Sequence, residues 1–175
     1  MEIRVCCFVD GSYLDRSLRA ACGRADVDLI SVARWLADSR PNLRTYYYTA
    51  EAKQGPSYSQ YEDRERVRKL AETTDYIQVR LGRVRGKAPR MKEKGVDVYL
   101  VVDLLTLGYS NAFDAAVILG GDEDYLNAID TIKRLGKHVE VAGFVSSTSR
   151  KMKEVADRFR PLNAGMFGTD IAWLP

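Results

Sequence analysis

The sequence predicts an α/β fold in which helices cover both faces of a mainly parallel sheet. Two observations carry that prediction. Short, continuously apolar runs alternate with stretches whose apolar residues recur at helical spacing, the order expected of strand–helix–strand units. With 175 residues, 46% apolar and 29% charged, the chain is sized for one core, and residues 1–175 read as a single domain.

Each element has a local reason. Ile3 to Val9 is an apolar run that stops at Asp10-Gly11, as a strand buried on both faces does. Leu14, Leu18 and Ala21 recur at helical spacing and meet a stop at Cys22-Gly23. Leu29, Val32 and Leu36 mark a second helix, closed by Arg40-Pro41. Leu43 to Thr49, rich in tyrosine, is a second strand. Ser57 is a candidate cap for a helix carrying Tyr61, Val67, Leu70 and Ala71. Tyr76 to Leu81 alternates as a third strand. Gly95 to Leu107 is apolar almost all round, and its length favours a buried helix over a strand. Ala115 to Leu119 forms a fourth strand ending in Gly120-Gly121. Asp124 to Leu135 is a helix by Tyr125, Ala128, Ile129 and Ile132. Val139 to Phe144 is a fifth strand, with His138 at its start, and Ser146 to Asp157 a last helix. Polar residues 82–94 interrupt this order as an exposed loop or ribbon. The C-terminal Ile171-Ala172-Trp173-Leu174 either docks on its own core, the reading preferred, or pairs with a second chain in a homo-oligomer.

Composition excludes several classes. No apolar run approaches the ~18 residues that span a bilayer, and the N-terminus lacks the basic stretch and cleavage site of a signal peptide. No membrane partner and a cytoplasmic location are therefore expected. Three cysteines without a Cys-x-x-Cys and a single histidine, His138, leave no zinc ligand set. The cysteines read as small apolar packing groups.

In a parallel sheet the strand-to-helix loops share the carboxyl edge, and ligands bind where the strand order reverses. Asp10 follows the first strand; Asp122 and Asp124 follow the fourth, its expected neighbour at the reversal. Asp97 opens the helix that follows the third strand, on the same edge. Four clustered carboxylates repel unless a cation lies among them, and an all-oxygen set selects Mg²⁺ or Mn²⁺, which suits phosphodiester hydrolysis. Asp103 lies six residues beyond Asp97, ~9 Å along the helix and about 240° around it, too far round to share that site directly. Local readings compete: Asp122 as a helix cap, Asp10 as a turn residue, Asp97 as a first-turn carboxylate, and Asp103 as the partner of a buried cation.

Charge adds a second cue. The net charge is only +3, yet between Arg80 and Lys94 seven cations face one acid, a local +6 that leaves the rest of the chain at −3. Arg83, Arg85, Lys87, Arg90, Lys92 and Lys94 are candidate phosphate contacts leading directly into Asp97. The competing reading is a solvated loop. Tyr46, Tyr47 and Tyr48 could stack on bases, although alternation sends at least one of them into the core.

Phe8-Val9-Asp10-Gly11-Ser12-Tyr13-Leu14, the run from Lys94-Gly95-Val96-Asp97 to Val102-Asp103, and Gly120-Gly121-Asp122-Glu123-Asp124-Tyr125 together resemble the NYN (LabA-like) domains of the PIN-like nuclease superfamily. Gly136 to Val141 and Val155 to Phe159 extend the resemblance over nearly the whole chain. It implies a three-layer α/β/α sandwich, PIN-like and Rossmann-like, with a mainly parallel sheet of five or six strands. It also implies a Mg²⁺- or Mn²⁺-dependent nuclease acting on nucleic acid, RNA favoured over DNA. Asp10, Asp97, Asp122 and Asp124 would be the catalytic, metal-binding acids, with Ser12 and Asp103 behind them. One departure stands out: Tyr13 occupies a position where the family commonly has Asn, which would alter the polar surroundings of the ions. A nucleic-acid-binding regulatory module with a vestigial site is the alternative. A haloacid-dehalogenase-like phosphatase would need a second Asp at position 12, where Ser12 stands. A dinucleotide-binding dehydrogenase lacks its Gly-x-Gly-x-x-Gly after the first strand.

Overall fold

The central strand β1 (Val5–Asp10) is buried at every position, because it has a parallel neighbour on each side and helices above and below. The computed structural model describes residues 2–50, 58–85 and 92–175. Within them β1 pairs with β2 (Asn42–Ala50) on one side and β5 (Ala115–Leu119) on the other. Outward from β2 come β3 (Ile77–Arg85) and β4 (Lys92–Lys94); outward from β5 come β6 (His138–Phe144) and β7 (Arg158–Leu162). Six strands run parallel, and only β4 is antiparallel to its neighbour. The chain therefore leaves β1 in opposite directions, and the carboxyl ends of β1 and β5 sit side by side at the reversal.

Continuous apolarity along β1 still obeys the two-residue alternation of a strand. Cys7 and Val9 face the layer of α1 (Gly11–Cys22), α2 (Leu29–Ala37) and α3 (Tyr58–Glu72), meeting Leu14, Leu18, Val32, Leu36 and Val67. Cys6 and Phe8 face α4 (Val96–Tyr109), α5 (Leu126–Arg134) and α6 (Arg150–Val155), meeting Leu100, Leu104, Ile129, Ile132 and Met152. This is the three-layer α/β/α sandwich. Burial pushes the Cys6 thiol up to about 11 and the Cys7 thiol up to about 12, so both pack as unreactive apolar groups.

Several boundaries differ from the sequence reading, each for a physical reason. All three tyrosines of β2 are buried, Tyr47 toward α1 and Tyr46 and Tyr48 toward α4, because β2 is itself an inner strand; none offers a face to a base. Tyr76 stands outside β3 with φ 63°, and its carbonyl accepts from Thr45 N–H at 2.8 Å. Of the loop or ribbon expected at residues 82–94, residues 82–85 continue β3, with 83–85 pairing with β4 at residues 92–94, while residues 86–91 lie outside the described residues. The buried-helix expectation for α4 holds for Val96, Leu100, Leu104 and Gly108, while Val98, Val102 and Tyr109 remain exposed. The last helix starts later than expected, because Ser149 caps it by accepting from Met152 N–H at 3.1 Å. Strand β7 was not expected; Pro161 argues against an inner strand, and β7 is an edge strand, where proline is tolerated. At the C-terminus Leu174 N–H reaches Asp26 O at 2.8 Å, and Ile171 and Leu174 are buried, so this segment docks on its own core. Ser57 lies outside the described residues. No helix among the described residues is long and apolar enough to cross a membrane.

An ion-pair knot ties the amino-terminal half to the far edge. Glu140, 2% exposed, accepts from Arg40 at 2.7 and 3.1 Å and from Arg160 at 3.3 Å. Arg160 also donates to Trp35 O and Leu36 O, both at 2.6 Å, with its guanidinium over the Trp35 ring. Replacing one member of such a group leaves an uncompensated buried charge and costs about 3–5 kcal/mol. Glu140→Gln should therefore lower the thermal midpoint by roughly 6–20 °C, measured by circular dichroism.

Candidate active site

Asp10 ends β1 and begins α1 in one residue. Its Oδ1 accepts from Tyr13 N–H at 2.9 Å, the bond that caps the helix. Its Oδ2 accepts from the Tyr125 hydroxyl at 2.9 Å. The same hydroxyl lies 3.1 Å from Asp97 Oδ1, so Asp10 and Asp97 meet at one phenolic oxygen. Asp97 is in the first turn of α4, brought there by Gly95, whose φ of 88° lets the chain turn sharply out of β4. Asp10 is 3% exposed, and burial holds its carboxyl above the usual range, against the Tyr13 N–H and the Tyr125 hydroxyl; Asp97 adds to the rise. The tyrosine hydroxyl is also pushed up, by burial and then by Asp10 and Asp97.

Asp122 and Asp124 follow β5 on the same edge and are exposed. Asp122 Oδ1 accepts from Asp124 N–H at 3.0 Å and caps a 3-10 turn at Glu123–Tyr125. Among the described residues no three acidic, histidine or cysteine side chains stand close enough to hold a metal ion. The structure thus brings Asp10 and Asp97 together and leaves Asp122 and Asp124 on the adjoining loop. A carboxylate pair nevertheless fits the expected ion, since Mg²⁺ is ordinarily held by one or two carboxylates with water and phosphate completing its shell.

The remaining candidates divide by position. Asp103 accepts from Arg80 Nε at 2.9 Å and Nη2 at 2.8 Å, and from the Tyr48 hydroxyl at 3.0 Å; it is the anchor of an ion pair between α4 and β3. Ser12 is buried in the first turn of α1. Tyr13 spends its hydroxyl on the loop after β6, accepting from Phe144 N–H at 2.9 Å and lying 2.8 Å from Thr148 Oγ1. Gly121 admits this packing, since a Cβ there would lie 2.6 Å from both Ser147 O and the Tyr13 ring. Arg83 is exposed on β3. Arg83 pairs in register with Lys94, and Arg85 with Lys92. Lys87 and Arg90 lie outside the described residues.

Two residues escaped the sequence reading. The spacing of Tyr125 marks it as a core helix residue, which its fully buried ring satisfies; the further signal is that a buried tyrosine needs a partner for its hydroxyl. Arg16, exposed on α1, places a cation whose field reaches Asp10; nothing in its local pattern distinguished it from a solvated helix charge.

The NYN domain family model matches residues 4–163, and the chain belongs to this family, part of the PIN-like nuclease superfamily. A curated relative, the uncharacterized protein y4oD of Sinorhizobium fredii, is 33% identical over 86 residues, 47% of this chain and 39% of the relative. The chain thus matches well under half the length of that relative. A solved structure of a protein of unknown function, VPA0982 from Vibrio parahaemolyticus RIMD 2210633, superposes with a TM-score of 0.70 at 18% identity, over 93% of this chain and 94% of that one. That likeness supports the fold.

Asp10 also makes a stability prediction. Because the folded state holds its proton more tightly than the unfolded chain, its contribution is complete below the ordinary carboxylate pKa and is lost as pH rises through the raised folded value. Asp10→Asn keeps a capping oxygen for Tyr13 N–H and removes the charge. Thermal melts in EDTA should show the variant more stable than wild type at pH 7, with that advantage shrinking toward pH 4.

Proposed function

We propose that this NYN domain is a metal-dependent nuclease that hydrolyses phosphodiester bonds, with RNA favoured over DNA as its substrate. The observation that carries the reading is the meeting of Asp10 and Asp97 at the carboxyl edge, at the reversal of strand order, where α/β folds place their ligands. Family membership supports a nuclease and a nucleic-acid substrate. Asp10 and Asp97 would hold Mg²⁺ or Mn²⁺, with Asp122 and Asp124 on the neighbouring loop as further ligands. When bound, such an ion lowers the pKa of a water and neutralises charge on the phosphate. The chain's own part is to orient and to attract. Tyr13 N–H fixes one oxygen of Asp10 and Tyr125 the other. The cations of the β3–β4 ribbon draw the phosphate backbone toward Asp97, three residues beyond Lys94.

A second reading, binding without cleavage, is favoured by one observation: Asp122 is engaged by its own loop, and among the described residues no third carboxylate joins the pair. One experiment separates the two. Labelled single-stranded and structured RNA, with a DNA control, is incubated with Mn²⁺, Mg²⁺ or EDTA beside Asp122→Asn. The nuclease reading expects metal-dependent cutting that falls about 100-fold or more in the variant, beyond what loss of a supporting hydrogen bond costs. Intact RNA that remains bound in every metal would establish the binding module instead.

The ribbon is tested by salt. Arg83→Ala should weaken single-stranded RNA binding and reduce the slope of log K against log salt by about 0.7, one phosphate contact. An unchanged slope would remove Arg83 from the interface.

A further inference from the structure

Tyr125 is held more tightly than a buried tyrosine requires. Its ring is fully buried and lies so close to Gly120 that a Cβ there would come within 3.2 Å of it. One acceptor would satisfy its hydroxyl, yet two carboxylate oxygens from different elements reach it, Asp10 Oδ2 at 2.9 Å and Asp97 Oδ1 at 3.1 Å. A phenol carries a single O–H proton, so the two carboxylate oxygens share one donor. The buried ring holds this hydroxyl within reach of both oxygens.

Three elements that topology brings to the carboxyl edge meet at this hydroxyl. Asp10 is fixed by the end of β1 and by the α1 cap, Asp97 by the turn at Gly95, and Tyr125 by the 3-10 turn that Asp122 caps. Tyr125 therefore links the loop after β5 to both acids. The hydroxyl also lies in the gap that a shared ion would have to approach, since it contacts one oxygen of each carboxylate.

We propose that Tyr125 is a positioning residue for the ion site: its hydroxyl sets the orientation of Asp10 and Asp97, and so the affinity for Mg²⁺ or Mn²⁺. This rests on the reading of that carboxylate pair as a metal centre. The groups that orient metal ligands typically contribute 10–100-fold in affinity. Tyr125→Phe removes the hydroxyl and keeps the ring.

The test is Mn²⁺ titration of the full chain by electron paramagnetic resonance of the free ion, with no nucleic acid present and melting in EDTA recorded alongside. Wild type should bind saturably, and Tyr125→Phe should bind about 10–100-fold more weakly while still melting cooperatively. A merely structural hydroxyl would lower the melting temperature and leave the Mn²⁺ affinity of the folded protein unchanged, which overturns the proposal but leaves the metal centre standing. Absence of saturable binding by wild type would overturn both. Should the Phe variant not fold in buffer, the same titration of both proteins is run in sucrose, which favours the compact state.

Discussion

Burial of a carboxylate at the end of the central strand is the constraint around which this molecule is arranged. Asp10 is surrounded because β1 has neighbours on both sides and helices on both faces, and a carboxylate there must have its oxygens satisfied. One oxygen is satisfied by the helix it starts, through Tyr13 N–H; the other is satisfied by Tyr125. The first bond makes the turn from β1 into α1 rigid. The second draws the loop after β5 against that turn. Asp97 then arrives from a third element at the same hydroxyl. The helix cap and one of the proposed metal-binding acids are the same residue, so what holds α1 in place also orients that carboxylate.

Most of the fold was legible because strands buried on both faces must be continuously apolar. The runs at β1 and β5 could hardly be read otherwise, and Gly23 and Gly136 stop their helices with φ of 75° and 77°. What resisted reading was decided at a distance. Strand β7 carries Pro161 and only partial burial, so its pairing depends on β6 being there. The start of α6 is set by the Ser149 cap, and the segment before it, residues 144–148, is held by the Tyr13 hydroxyl, a contact across some 130 positions of chain. The tyrosine run of β2 is half polar by side chain, and only the sheet order shows that both its faces are covered.

The site was legible as a place more than as a set of contacts. Topology alone brings Asp10, Asp97, Asp122 and Asp124 to one edge, and the helical offset of Asp103 from Asp97 already pointed elsewhere. Arg80, at the position where β3 runs beside β2, supplies the partner that an acid in an apolar helix needs. The part that sequence could not give was the state of each oxygen. Asp122 has a local N–H within reach and uses it; Asp10 and Asp97 have Tyr125 between them. Such outcomes depend on differences of a few tenths of an ångström, which residue spacing does not encode.

On the proposed reading, charge gives the acids and the ribbon complementary parts. A cluster of carboxylates by itself repels a polyanion, and with a net −3 outside the Arg80–Lys94 window the rest of the chain would not correct that. The correction is local. The ribbon ends at Lys94 and α4 begins at Val96, with Gly95 turning the chain between them. Cations and Asp97 are thus joined within a single turn of backbone, and Arg16 contributes a further positive field on the Asp10 side. Screening confines unpaired surface charges to about 8–10 Å at physiological salt, so attraction has to be supplied beside the acids and not from across the molecule. On the proposed reading, a basic ribbon immediately before α4, the helix that carries Asp97, would meet that requirement with the shortest possible connection.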